Sequence, residues 1–136
     1  VLSGFRTDAG EGRALMGNSC CVIGASGTAS VEAMMMDLFM IVLYRVSLSS
    51  EVVFRFFVKT PYISIPNHLS GCLLYPELVQ GEAKISRIME HFDGYWADKR
   101  ERKSFHERLK IARSRMGKPG AAGFWARCIL DVLGRT

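Results

Sequence analysis

Hydrophobic and polar residues change their period several times along the chain. Ser19 to Ile23, "SCCVI", is a short apolar run bounded by glycine and reads as a buried strand. The loop Gly24 to Gly27 follows, and Ser26 or Thr28 can cap a helix behind it. Val31, Met34, Met35, Leu38, Ile41 and Val42 would form that helix's apolar stripe. "EVVFRFFVK" then alternates: Val52, Phe54, Phe56 and Val58 point one way, and Val53, Arg55, Phe57 and Lys59 the other, as in a strand. "YISIP" reads as a second short strand ended by Pro66, and 67–76 as a connection.

Beyond Pro76 the spacing turns helical. Ile85, Ile88, Met89, Phe92 and Trp96 share one face of a helix that starts at Pro76 or Glu82 and ends near Ala97. Phe105, Leu109, Ala112 and Met116 repeat the pattern, which "GKPG" stops. "GFWARCILDVLG" reads as a further amphipathic helix with Phe124, Cys128, Ile129 and Val132 inward, ahead of a β-hairpin alternative over 105–133. These elements predict an α+β fold: an N-terminal strand–loop–helix, a small central sheet and a helical, basic C-terminal part. Residues 1–18, rich in glycine and charge, read as a loose arm, and 19–136 as a single globular domain, within the size expected of one core.

Charge sharpens the picture. Residues 1–80 hold five Lys/Arg against six acids, whereas the remainder holds thirteen against seven, so the net +5 resides in the C-terminal part. Lys99, Arg100, Arg102, Lys103, Arg108, Lys110, Arg113, Arg115 and Lys118 lie within twenty residues. Lys99, Lys103, Lys110 and Arg113 fall near one helical face, opposite the apolar stripe. Such a face attracts phosphates or carboxylates without reading sequence. It points to a non-enzymatic accessory or adaptor subunit that docks on RNA or on an acidic protein surface in a larger assembly, with Phe124 and Trp125 against a neighbour.

"GASGTAS" carries the alternative, a small α/β domain. A strand, a glycine turn and a helix start are the order in which unpaired N–H groups meet a phosphate. Gly24, Ser26, Gly27 and Thr28 would hold the phosphate of a nucleotide or flavin. The segment resembles the glycine loop of Rossmann dinucleotide-binding domains and the GASG loop of flavin-binding prenyltransferase-type proteins, although Ser30 stands where the Rossmann pattern has its third glycine. "LYR", Leu43 to Arg45, resembles the signature of the small helical LYR proteins of mitochondria, which implies an accessory subunit. The element order from the first helix onward resembles an NTF2-like cone fold, which implies a pocket between helix and curved sheet.

Other chemistries find little support. His68, His91 and His106 are scattered and no metal-ligand spacing occurs, so neither a metal nor a cofactor is expected. No G-x-S-x-G elbow suggests a hydrolase. Cys20, Cys21, Cys72 and Cys128 show no CxxC spacing and read as free thiols of an intracellular, reducing compartment. "MGNSCC" resembles an acylation signal but is internal, with Cys21 where Ser or Thr belongs. Asp37, Arg45, Glu51 and Arg55 interrupt the most apolar region, so no transmembrane span is expected.

Overall fold

A computed structural model describes residues 10–45 and 60–134. Three parallel strands form its sheet, in the order β1 (Cys21–Ala25), β2 (Phe39–Tyr44), β3 (Glu77–Val79). Around it lie α1 (Gly12–Gly17), α2 (Thr28–Met35), α3 (Ile65–Ser70), α4 (Ile85–Ala97), α5 (Lys99–Ser114) and α6 (Ala121–Val132). The whole is a mixture of helices with a small parallel sheet. Helix α1 occupies part of the stretch read as a loose arm. The alternating segment 51–59, on which the cone-fold resemblance depends, lies outside the described residues.

Strand β2 sits centrally. Phe39, Met40, Ile41 and Val42 are all buried, so the strand is covered on both faces and shows no alternation. That continuous apolar run was expected to extend the first helix, and the structure corrects it. Helix α2 stops at Met35 because Asp37 takes a left-handed φ of 65°. The Leu38 N–H then reaches back to the Ala33 carbonyl at 3.0 Å and the Asp37 N–H to Met34 at 3.3 Å. This is the helix-ending turn that usually employs glycine, here built on aspartate.

The register sets one row across the sheet: Gly24 beside Val42 beside Glu77. The carboxyl ends of the strands therefore lead into the Ser26–Gly27 turn on one side, with Gly24 and Ala25 inside β1 rather than in the expected loop, and the Gln80–Glu82 turn on the other. "YISIP" is not a strand. Its last residues open α3, with Pro66 in the first turn, where a missing N–H costs nothing.

Aromatic rings close the amino edge of the sheet. Phe39 stacks on Tyr95 with centroids 4.1 Å apart, and Phe105 meets both rings edge-on at 5.6 and 5.3 Å. Of the stripe expected on α5, Phe105, Leu109 and Ala112 are buried, while Met116 lies past the helix end and is exposed. On α4 only Tyr95 is buried; Ile88 and Phe92 pack partly on the core, and Ile85, Met89 and Trp96 are exposed.

The C-terminal segment is a helix, but its apolar side does not face this core. Phe124, Trp125, Ile129 and Val132 are exposed, Val132 to 88%. Ile129→Asp is therefore expected to change unfolding free energy by less than about 0.5 kcal/mol, the range of ordinary surface changes. A urea titration checks this, and a loss near that of a core residue would contradict it.

Candidate functional site

The fold places the glycine turn at the carboxyl ends of parallel strands, where open α/β sheets bind ligands. Gly27 has φ 154° and ψ −154°, a region of backbone space that is essentially glycine's own. A Cβ there would meet nothing within 4 Å, so the demand for glycine is conformational and the space in front of the residue is open. Gly24 is different: a Cβ would sit 3.7 Å from Met40 Cε, an ordinary contact.

Gly27 is the residue before α2, so Thr28 and Ala29 offer N–H groups with no acceptor inside the helix. Ser30, which replaces the third glycine of the Rossmann pattern, is fully buried. Its hydroxyl donates to the Gly27 carbonyl at 2.7 Å and its N–H to the same oxygen at 3.1 Å. The turn is thus closed by serine, and Gly27 and Thr28 are exposed in front of it.

Residues that the sequence did not single out support this loop. The Ser26 hydroxyl donates to the Ile63 carbonyl at 3.3 Å. Glu77 accepts from the N–H groups of Ile63 and Ser64, each at 2.8 Å, and from Asn67 Nδ2 at 2.7 Å. Asn67 is buried and also pairs with both main-chain groups of Tyr75 at 2.8 Å. The available signal was a polar residue directly after a proline in an apolar stretch: Asn67 after Pro66, Glu77 after Pro76.

Four of the nine expected cations, all arginines, are paired inside the fold. Arg102 donates to the Tyr95 and Trp96 carbonyls at the end of α4, with its guanidinium 5.5 Å from the Trp96 ring centre. Arg113 donates to the Met34 carbonyl at the end of α2 at 2.6 Å and to Asp37 at 2.9 Å. Arg115 donates to the Leu69 carbonyl at the end of α3 at 2.5 Å. Each of these arginines therefore meets the carbonyl end of a different helix, where unpaired oxygens and the helix dipole favour a cation. Arg108 pairs with Glu101 at 2.7 Å. Lys99, Arg100, Lys103, Lys110 and Lys118 remain exposed. Removing the Arg113 guanidinium in Arg113→Met is thus expected to lower stability by about 1–2 kcal/mol. Differential scanning calorimetry checks this, and an unchanged midpoint would contradict the capping role.

The remaining candidates do not assemble into a centre. His106 Nδ1 lies 3.3 Å from Asp37 and its Nε2 3.3 Å from the Tyr95 hydroxyl, which fastens α5 to the turn after α2. His68 is bonded to the Tyr62 carbonyl at 2.7 Å. Among the described residues no His/Cys/Asp/Glu group could hold a metal ion. Burial, aided by neighbouring Cys20, pushes the Cys21 thiol up to about 11, so it stays protonated near neutrality and is a poor nucleophile. A cleft of roughly 430 Å³ lies between α4, α5 and the loop before β3, floored by Leu74, Tyr95 and Phe105. It opens at the amino edge of the sheet, away from the glycine loop. No helix among the described residues is long and apolar enough to cross a membrane.

Comparison with known proteins gives these features a setting. The model of the Lipid-A-disaccharide synthetase (LpxB) family matches residues 5–118. The lipid-A-disaccharide synthase of Myxococcus xanthus is 38% identical over 125 residues, which cover 90% of this chain and 33% of that protein. That of Pseudomonas fluorescens is 30% identical over 132 residues, covering 93% of this chain and 33% of the relative. That of Pseudomonas paraeruginosa is 48% identical over 62 residues, 46% of this chain and 16% of the relative. The chain thus spans about a third of the length of the curated relatives it matches over most of its own length.

Proposed function

Because the chain belongs to the lipid-A-disaccharide synthetase family, we propose that it supplies the leaving-group side of a glycosyl-transfer site. The family match overturns the adaptor reading. These relatives are named as synthases, so the basic segment no longer stands for a non-enzymatic RNA-binding or protein-docking surface. Within that segment, Arg102, Arg108, Arg113 and Arg115 are engaged at helix ends and with Glu101, whereas Lys99, Arg100, Lys103, Lys110 and Lys118 stay exposed.

Making a disaccharide joins the anomeric carbon of one sugar to a hydroxyl oxygen of another. The hydroxyl loses its proton, and the group on the anomeric carbon departs with the bonding electron pair. A phosphate ester is a suitable departing group, and it gains negative charge as the bond breaks. The start of α2 is suited to that charge: Thr28 and Ala29 present N–H groups, the helix dipole adds a partial positive charge, and Gly27 lets the backbone approach closely. Donors that are fixed before reaction lose nothing to reorganisation as charge develops. Gly24, Ser26, Gly27 and Thr28 are thus proposed to hold the phosphate of an activated sugar, Gly24 and Ser26 by shaping the turn and Gly27 and Thr28 by facing the anion. Four free cysteines suit the reducing, intracellular setting expected from the sequence.

The observation that carries the reading is the glycine-only conformation of Gly27, in open space at the mouth of α2. A chimera tests it: this chain replaces the matching third of the Myxococcus xanthus synthase, and disaccharide formation is assayed. Activity in the chimera, lost on Gly27→Val, is expected. A folded but inactive chimera, or one indifferent to Gly27→Val, would contradict the proposal.

A further inference from the structure

Glu77 stands in the same register row as Gly24 but two strands away, at the first position of β3. Its carboxylate is half-buried and receives three hydrogen bonds. Oε2 takes the Ile63 N–H, while Oε1 takes the Ser64 N–H and Asn67 Nδ2. Asn67 cannot swing away, because its amide is clamped to the Tyr75 main chain on both sides. The hydroxyl of Ser64 is buried and meets no acceptor among the described residues, so Ser64 is held by its backbone at Glu77. On the far side of the same segment, the Ile63 carbonyl receives the Ser26 hydroxyl.

We propose that Glu77 is a positioning residue for the glycine loop, acting through Ile63 on Ser26 and so on the Gly27–Thr28 turn. The chemistry requires a carboxylate. Three donors converge on two oxygens, and an ionised carboxylate offers acceptors only. Glutamine would turn an amide N–H toward one of these donors and leave a partly buried backbone group unpaired. Hydrogen bonds to a charged acceptor are also the stronger kind, which suits a strut that must hold a turn in place. Glu77 does not face the ligand. It fixes the distance between two loops, and the ligand meets only the outer one. This inference depends on the proposed phosphate-binding role of the loop for its functional meaning, but not for its structural content.

The test uses the whole chain labelled with ¹⁵N, with inorganic pyrophosphate as the probe. Glu77→Gln is expected to move the amide resonances of Gly27 and Thr28, which residue 77 does not touch, and to weaken pyrophosphate binding on the order of tenfold. Leu109→Val, a destabilising core change on α5, is expected to leave both unchanged, which separates positioning from general loss of stability. Ser26→Ala reads the strut from its other end. It should move the Ile63 and Ser64 amides, and its effect on pyrophosphate should not add to that of Glu77→Gln. If Glu77→Gln does not fold, Ser26→Ala alone decides. Gly27 and Thr28 resonances identical to wild type in Glu77→Gln, or Ile63 and Ser64 unmoved in Ser26→Ala, would overturn the proposal. If pyrophosphate fails to bind the wild-type chain while these resonances still move, the phosphate reading fails and the strut stands.

Discussion

Replacing Phe105 by alanine is expected to lower unfolding free energy by about 3–5 kcal/mol, the cost of emptying a large aromatic site. The ring is 2% exposed and joins elements far apart in sequence: Phe39 of β2, Tyr75 before β3 and Tyr95 of α4. Aromatic pairs in these geometries add about 0.5–1.5 kcal/mol each beyond burial. The Phe39–Tyr95 stack has Phe105 as its edge-on partner and would be left beside a void. Against a typical total stability of about 5–15 kcal/mol, such a loss brings a domain of this size close to unfolding. A urea titration followed by tyrosine and tryptophan fluorescence measures it. Phe105→Leu keeps much of the volume and should cost less than half as much. A loss below about 1 kcal/mol in Phe105→Ala would show that these rings are not the centre of the core.

The second large effect concerns the ligand. Gly27→Val places a β-branched residue in a conformation that costs about 1–3 kcal/mol for side chains other than glycine. The loop either carries that strain or relaxes, and relaxation turns the Thr28 and Ala29 N–H groups away from the anion. Wild-type chain at pyrophosphate a hundredfold above its dissociation constant gains about 2.7 kcal/mol. In Gly27→Val that gain should vanish. Gly94→Ala is the control, because it lies in α4, outside the loop, its new methyl meets nothing within 4 Å and the gain should survive. Melting midpoints with and without pyrophosphate distinguish the two. An undiminished shift in Gly27→Val would remove the reason for a glycine at that position.

How much of this the sequence discloses depends on whether a residue's neighbours are local. The stripe Phe105, Leu109, Ala112 is visible in the spacing, because helical period and burial coincide on α5. The strand–loop–helix around Gly24 and Gly27 is visible too, since glycines bounded by an apolar run mark a turn. Strand β2 is not, because a strand buried on both faces has no alternation and its apolar run can be laid on a helix. The only break between the two elements is Asp37, which takes the left-handed turn without the usual glycine.

The basic segment shows the limit in another form. A count of charges gives their number but not the direction in which they point. Arg113 lies close in sequence to Lys110, yet one guanidinium ends α2 and the other cation stays in solvent. The carbonyl that claims Arg113 lies 79 residues away in sequence. Glu77 and Asn67 stayed hidden for the same reason. Their partners come from separate segments of chain, and only the fold brings them under the glycine loop. The apolar face of α6 marks the converse: its period is helical, but the described core does not cover it.

The most direct measurement is a pyrophosphate titration of the ¹⁵N-labelled chain, followed amide by amide. A phosphate cradle at the start of α2 predicts saturable shifts largest at Gly27, Thr28 and Ala29, with smaller ones at Ser26 and Ile63. Shifts that fall instead along Lys99 to Lys118, or none at all, would contradict it.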